Sequence, residues 1–297
     1  MRLKRRGKHA AIFFLAALAG LAQATEGGGS VYPGSENFLV GAAPPPGLHL
    51  MGYGTAYAAT EFKDNKGNNA TPPGFKVNAN VAVLRGVWST PYQVLGGNIV
   101  MHTIVPFADV SVSAAGAHQH KTGIGDITVG AVVAHHHSPQ LHSLAGLDVV
   151  LPTGGYTRTD LANLGRNYVA YEPVFAMSYV DPKGFNGDFK LTINLNQTNN
   201  ATHYKSGNEA FIDYSVGYGL GNGWTVGVGG LIREQFTDDR QNGATVANNR
   251  ARSFAIGPSI KYDNGKGWFA TAKWETETAA RNTTQGNAFW VKAVIPF

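Results

Sequence analysis

The chain contains no cysteine. A disulfide framework, a thiolate metal site and a cysteine nucleophile are excluded together. Charge is also scarce, at 14% of 297 residues, and its basic excess is local: Arg2, Lys4, Arg5, Arg6 and Lys8 all fall in the first ten positions. Without those five of its 24 basic residues, the chain keeps 19 Lys and Arg against 19 Asp and Glu. The formal charge of +5 is therefore no argument for a nucleic-acid partner. Long apolar runs are missing too. The N-terminal run AAIFFLAALAGLA has roughly 13 residues, short of the ~18 or more of a spanning helix, and no later segment approaches that length. If the chain is in a membrane, it crosses as a closed barrel.

That apolar run follows the basic cluster and leads into Ala22-Gln23-Ala24. This is the layout of a signal peptide with an A-x-A cleavage site, covering residues 1–24, so the expected mature N-terminus is Thr25. Residues 25–47 (TEGGGSVYPGSENFLVGAAPPPG) are rich in Gly and Pro and show no period. They read as a stiffened, irregular arm lying either in the periplasm or in a lumen. Residues 48–297 are the expected barrel.

What the chain has in quantity is 38 Gly, 12 Tyr and 15 Phe, a composition suited to strands and tight turns. From Leu48 onward about twelve strands alternate with breaks that are long, then short. The long ones are polar and fall at residues 63–74, 116–123, 153–167, 198–207, 237–249 and 279–285. The short ones carry turn residues and fall at 91–97, 138–140, 181–184, 221–223 and 264–267. Short periplasmic turns and long outer loops produce this sorting in an outer-membrane barrel, whereas a water-soluble sandwich has no reason for it. The fold predicted is an all-β, transmembrane, antiparallel up-and-down β-barrel of about twelve strands.

Side-chain alternation is the second test. In residues 209–220, Ala210, Ile212, Tyr214, Val216, Tyr218 and Leu220 oppose Glu209, Phe211, Asp213, Ser215, Gly217 and Gly219. Residues 188–197 and 269–278 sort in the same way, and a lipid-facing Lys near the midplane costs about 2–4 kcal/mol, which sends Lys190 and Lys273 inward. Arg85 shares the apolar parity of Val77, Ala79, Val81 and Val83, and its expected place is the periplasmic rim. Trp88, Trp224, Trp268, Tyr179 and Tyr262 lie near short turns, as a periplasmic aromatic girdle requires. The closing stretch, residues 286–297 (GNAFWVKAVIPF), sets Phe289, Val291, Ala293, Ile295 and Phe297 against Ala288, Trp290, Lys292 and Val294. It resembles the last strand of outer-membrane barrels, whose terminal Phe carries the signal for the barrel-assembly machinery.

Catalytic and metal chemistry find little footing. His118 and His120 are separated from His135, His136, His137 and His142 by a strand of about 14 residues at ~3.3 Å each, so the two clusters occupy opposite mouths and read as rim residues. No G-x-S-x-G occurs, and His142-Ser143 stands beside a short turn without hydrolase neighbours. The glycine clusters GIGD and GYGLGNG lead into no helical pattern and read as strand and turn glycines. No catalytic residue, metal or cofactor is assigned. The candidate lumen-lining residues are Asp126, Asp148, Glu172, Lys190, Glu209, Asp213, Arg233, Gln235, Lys273 and Glu275. Arg233, beside Glu209 and Asp213, is the expected centre of a constriction.

Several fragments in order resemble one family of outer-membrane proteins, that of the meta-pathway of phenol degradation. They are YPG at residues 32–34, G-x-x-PPPG at 41–47, TGIGD at 122–126, LPTGGY at 151–156 and LGRNYVAYEP at 164–173. Further along come the strand at 207–218, REQFTDD at 233–239, AIGP at 255–258 and the C-terminal stretch. The resemblance implies an outer-membrane barrel that admits small hydrophobic or aromatic compounds, and it brings no catalytic residues. The expected function is their passive passage across the outer membrane, with lipid, lipopolysaccharide and the solute as partners. The alternative is a surface or structural protein with a closed lumen, whose outer loops at 153–167 and 237–249 bind a ligand or partner.

Overall fold

A computed structural model of the chain describes residues 33–296. The expected signal peptide, the first part of the arm and Phe297 lie outside the described residues. All regular structure among the described residues is strand. In chain order the strands are β1 (Gly47–Lys63), β2 (Lys76–Val94), β3 (Gly97–Ala114), β4 (Ala117–Ile124), β5 (Ile127–His136), β6 (Leu141–Leu151), β7 (Ala170–Tyr179) and β8 (Phe185–Asn196). They continue as β9 (Tyr204–Lys205), β10 (Glu209–Gly219), β11 (Trp224–Gln235), β12 (Asp239–Gln241), β13 (Ala244–Val246), β14 (Arg252–Asp263), β15 (Phe269–Arg281) and β16 (Thr283–Pro296).

Each long strand pairs antiparallel with its neighbour in sequence, and β1 pairs with β16 from His49↔Pro296 to Lys63↔Thr283. With β4 and β5 counted as one stave, interrupted at Gly125 and Asp126, the result is a closed barrel of twelve staves, as the sequence leads one to expect. Closure leaves no sheet edge unpaired in the hydrocarbon, which the bilayer requires of any β structure that crosses it. The short strands β9, β12 and β13 form a separate sheet in the long loops before β10 and β14.

Two expected long breaks are strand instead. All of residues 116–123 but Gly116 lie in β4, paired with β3 from Phe107↔Ile124 to Ala114↔Ala117, and the turn is only Ala115 and Gly116, both at positive φ. Residues 279–285 are the ends of β15 and β16, joined through Asn282 at φ 48°. Residues 117–123 and 281–285 carry polar side chains on both faces, so these segments lose the alternation that marks a strand inside the membrane.

The outer wall is apolar. Leu84, Phe175, Phe189, Val228, Ile232, Ile256, Trp274 and Phe289 are all exposed. Trp88, Tyr179, Trp224 and Trp268 are also exposed near the short turns, and Tyr262 contacts both Trp224 and Trp268. Lys190 and Lys273 face inward and are buried.

The expected direction of β2 is reversed. Ala79, Val81, Val83 and Val87 are buried on the lumen side, while Leu84 and Trp88 face out. Arg85 therefore lies inside the lumen and not at the rim. The apolar row of β2 packs with Tyr53, Ile104 and Ala108, so this side of the lumen is as apolar as the lipid face and hydropathy could not separate the two. Trp88 held the missing signal: an outward girdle residue three positions from Arg85 places Arg85 inside.

Exchange of an outward residue checks this assignment. Leu84→Arg is expected to cost about 2–4 kcal/mol of stability in a denaturant titration in lipid vesicles. An unchanged stability would mean that Leu84 does not face lipid.

Candidate functional site

The lumen is organised around the arm, which enters from the short-turn end. Its backbone N–H groups pair with side chains of the wall rather than with a strand. Glu36 N donates to Asp213 Oδ1 (3.2 Å), Phe38 N to Ser215 Oγ (3.0 Å), Leu39 N to Asp188 Oδ1 (2.7 Å) and Gly41 N to Ser178 Oγ (2.8 Å). Asn37 is held from two sides, donating to Ser259 Oγ (3.2 Å) and accepting from Thr271 Oγ1 (2.8 Å). A buried irregular segment must satisfy its polar groups in some such way. Gly41 permits the closest approach, since a Cβ there would stand 2.7 Å from Ser178 N and 2.8 Å from the Met177 backbone.

Glu36 is the anchor. Its carboxylate accepts from Lys292 Nζ (3.2 Å), Arg85 Nη1 (3.3 Å) and the Tyr53 hydroxyl (3.2 Å). Lys292 also donates to the carbonyls of Asn37 (2.6 Å) and Phe38 (3.0 Å), and Lys273 to the carbonyl of Glu36 (3.0 Å). Arg85 Nη2 lies 3.3 Å from His102 Nδ1, and His102 Nε2 lies 3.1 Å from Asp148 Oδ1. A chain of charges thus runs from β16 through the arm to β2, β3 and β6. Burial pushes the Glu36 carboxyl up, but Lys292, Lys190 and Arg85 outweigh it and hold its pKa at about 2.

Beyond the arm, on the long-loop side, lies a cavity of about 330 Å³. Pro33, Glu275 and Trp290 border it next to the arm, and Ala79, Ala108, Val110 and Val112 give it an apolar wall. Two pairs stand on the polar facing wall. Tyr57 donates to Glu277 Oε2 (2.9 Å) and meets Thr284 Oγ1 (2.7 Å), while Arg233 Nε donates to Glu209 Oε1 (2.7 Å). Leu161, Leu164 and Arg166 of the loop between β6 and β7 also line the cavity. Asp126 holds that loop by accepting from Gly154 N (2.9 Å) and Arg166 N (2.8 Å). At its outer edge, hydrogen bonds from Lys121 and Gln119 keep the Asp160 carboxyl below the usual range.

The ten candidate residues do not converge on one point. Asp126, Arg233 and Glu275 border the cavity. Asp213, Lys273 and, electrostatically, Lys190 act on the arm. Asp148 and Glu172 sit opposite each other on β6 and β7. Glu209 is committed to Arg233. Gln235 is committed to loop structure, binding Asp239 Oδ1 (2.8 Å) and Ala251 N (3.0 Å). Arg233 pairs with Glu209 and not with Asp213, so the narrowing belongs to the arm rather than to an Arg233 cluster. Glu36, Tyr53, Arg85, His102 and Lys292 were not among the candidates. Lys292 was within reach of the rule that sent Lys190 and Lys273 inward, because a Lys in a spanning strand must leave the lipid.

The histidine clusters lie at opposite mouths. His136 and His142 meet Nδ1 to Nδ1 at 2.8 Å and His137 Nε2 meets Ser143 Oγ at 2.7 Å, while His120 binds Asp109 (2.8 Å) and His118 binds Ser113 (2.9 Å). Among the described residues, no three His, Asp or Glu side chains are grouped to hold a metal.

A closed antiparallel barrel with an apolar outer band, an aromatic girdle at one end and a charge-braced interior is an outer-membrane β-barrel. The chain belongs to the family described as "MetA-pathway of phenol degradation", which its residues 59–293 match. Among solved structures it is similar to the COG4313 outer membrane channel from Pseudomonas putida F1, with a TM-score of 0.77 and 17% identity over 88% of this chain and 100% of that one. A FadL homologue from Pseudomonas aeruginosa (TM-score 0.46, 10% identity, 91% and 96% of the two chains) and the CymD monoaromatic hydrocarbon channel (0.41, 11%, 94% and 97%) are looser likenesses. None of the curated proteins matches.

Two outcomes test the anchor. Lys292→Met removes three donors from the arm, and ion conductance in planar bilayers is expected to rise severalfold; an unchanged conductance would show that Lys292 does not hold it. Glu36 has a folded pKa lowered from 4.5 to about 2. Its stabilising share is therefore complete above pH 4.5 and lost as pH falls toward 2. Conductance should stay level between pH 5 and 8 and rise only in acid, and a rise near pH 6.5 would point to histidine instead.

Proposed function

We propose that the barrel admits small, poorly water-soluble molecules, aromatic compounds among them, from the outer face of the outer membrane into the cavity beyond the arm. The supporting observation is the asymmetry of that cavity: one wall offers only methyl and methylene groups, and opposite it Tyr57 is paired with Glu277 and Arg233 with Glu209. A solute entering it exchanges water for apolar contact without breaking those two pairs. About 330 Å³ falls at the small end of the ~300–1,000 Å³ typical of small-molecule pockets. Onward movement requires the arm to shift, and its anchors are polar contacts that can exchange with water. Nothing in this reading calls for catalysis.

The arm also supports the second reading, a barrel with a closed lumen that serves through its loops. Uptake of a labelled monoaromatic compound by cells with and without the protein separates the two. Expression should raise initial uptake severalfold, and Val110→Trp, which fills the cavity from its apolar wall, should remove most of that gain at equal amounts of folded barrel. Equal uptake with and without the protein would favour the closed barrel.

A further inference from the structure

The long-loop ends of β11, β14 and β15 carry charge on the outer face of the barrel. Register sets Glu234 opposite Arg252 and Arg252 opposite Arg281, one row across three strands. The row faces outward, since the adjacent Ser253 and Ala280 are buried on the lumen side. The next outward row toward the short turns is Ile232, Phe254 and Ala279. Ten residues along β11 and β14 separate the charged row from Trp224 and Tyr262 of the girdle. At ~3.3 Å per residue and a tilt of ~40°, that is about 25 Å along the membrane normal, the height of the apolar band. The charged row therefore stands at the opposite boundary of the hydrocarbon, level with the headgroups of the outer leaflet.

These residues border a hollow of about 460 Å³, together with Asn65, Asn248, Arg250 and Asn282. Its frame is fixed, because Asn282 Nδ2 donates to the carbonyls of Asn248 (3.0 Å) and Arg250 (2.9 Å). Arg250 is forked onto Asp238 (2.7 and 3.2 Å), and Arg252 reaches Glu234 (3.2 Å). Arg281 has no carboxylate partner among the described residues, and its cross-strand neighbour is another arginine. Like charges directly opposite each other destabilise a sheet. Three guanidinium groups against two carboxylates leave the hollow one positive charge in excess, and an anion between Arg252 and Arg281 would relieve it.

We propose that this hollow binds the phosphate group of a phosphorylated glycolipid of the outer leaflet, with Arg281 and Arg252 as its donors. The guanidinium fork matches phosphate oxygens, and acyl chains descending from the headgroup meet Ile232, Phe254 and Trp274. A free phosphate ion would use the arginines but leave that apolar surface bare, so the glycolipid is the occupant that the geometry fits.

Native mass spectrometry of the intact barrel in detergent tests this with bisphosphorylated lipid A, the same lipid after enzymatic dephosphorylation, and inorganic phosphate. The bisphosphorylated lipid should be retained and the dephosphorylated form bound at least tenfold less tightly. Arg281→Ala should weaken binding about tenfold or more, while Arg158→Ala, in another loop, should leave it unchanged. Arg281 is exposed, and unaltered heat-modifiable mobility of the variant shows that the barrel still folds. Equal retention of both lipid forms, full retention by Arg281→Ala, or displacement of the lipid by millimolar inorganic phosphate would each overturn the proposal.

Discussion

The carboxylate of Glu36, met by Lys292, Arg85 and Tyr53 inside the barrel, is the contact on which the interior depends. A buried charge is tolerable only when paired, and removing one partner leaves the others exposed to the full cost of burial. Lys273 and Lys292 are buried in the wall and find their acceptors partly on the arm. Without the arm these lysines would lose part of their pairing, and without the lysines the arm would hold three carbonyls with no donor. Wall and arm thus specify each other, although the arm has no regular structure.

This pairing divides the lumen. On the short-turn side, Asp188, Ser178 and Ser215 bind the arm backbone; on the long-loop side, the cavity opens beneath the loops. The apolar wall made by β2 and β3 lies on both sides of the arm's anchor, with Val87 and Val100 toward the short turns and Val110 and Val112 toward the long loops, and Arg85 and His102 interrupt it between them. Apolar surface is therefore offered on either side of that charged level but not across it, where Arg85 pairs with Glu36 and meets His102. A wide aqueous pore would need the reverse arrangement, with free charges and no arm.

Much of this was legible in the sequence. Residues 188–197, 209–220 and 269–278 alternate between groups that suit lipid and groups that suit water, and the barrel follows that pattern. The alternation failed in β2, because Val81 and Val83 face an apolar patch inside and both faces of the strand look alike. It failed again at residues 117–123 and 281–285, where the strands rise beyond the membrane and both faces are polar. Glu36 was hidden for a different reason. It stands in an aperiodic stretch, and its partners come from strands some 50 and 250 residues away. No local pattern encodes such a contact. The glycines and prolines of the arm are legible in retrospect: Gly41 is required where the arm touches the backbone of β7.

The absence of cysteine makes the central claim open to direct test. Asn37 on the arm and Ser259 on β14 are in side-chain contact at 3.2 Å, so cysteines at both positions should oxidise to a disulfide in outer membranes isolated from cells. The account predicts near-complete cross-linking, with conductance low while the bond is intact and higher once it is reduced in the Lys292→Met background. Two free thiols in the folded barrel, open to modification from the periplasmic side, would mean that the arm does not reside in the lumen.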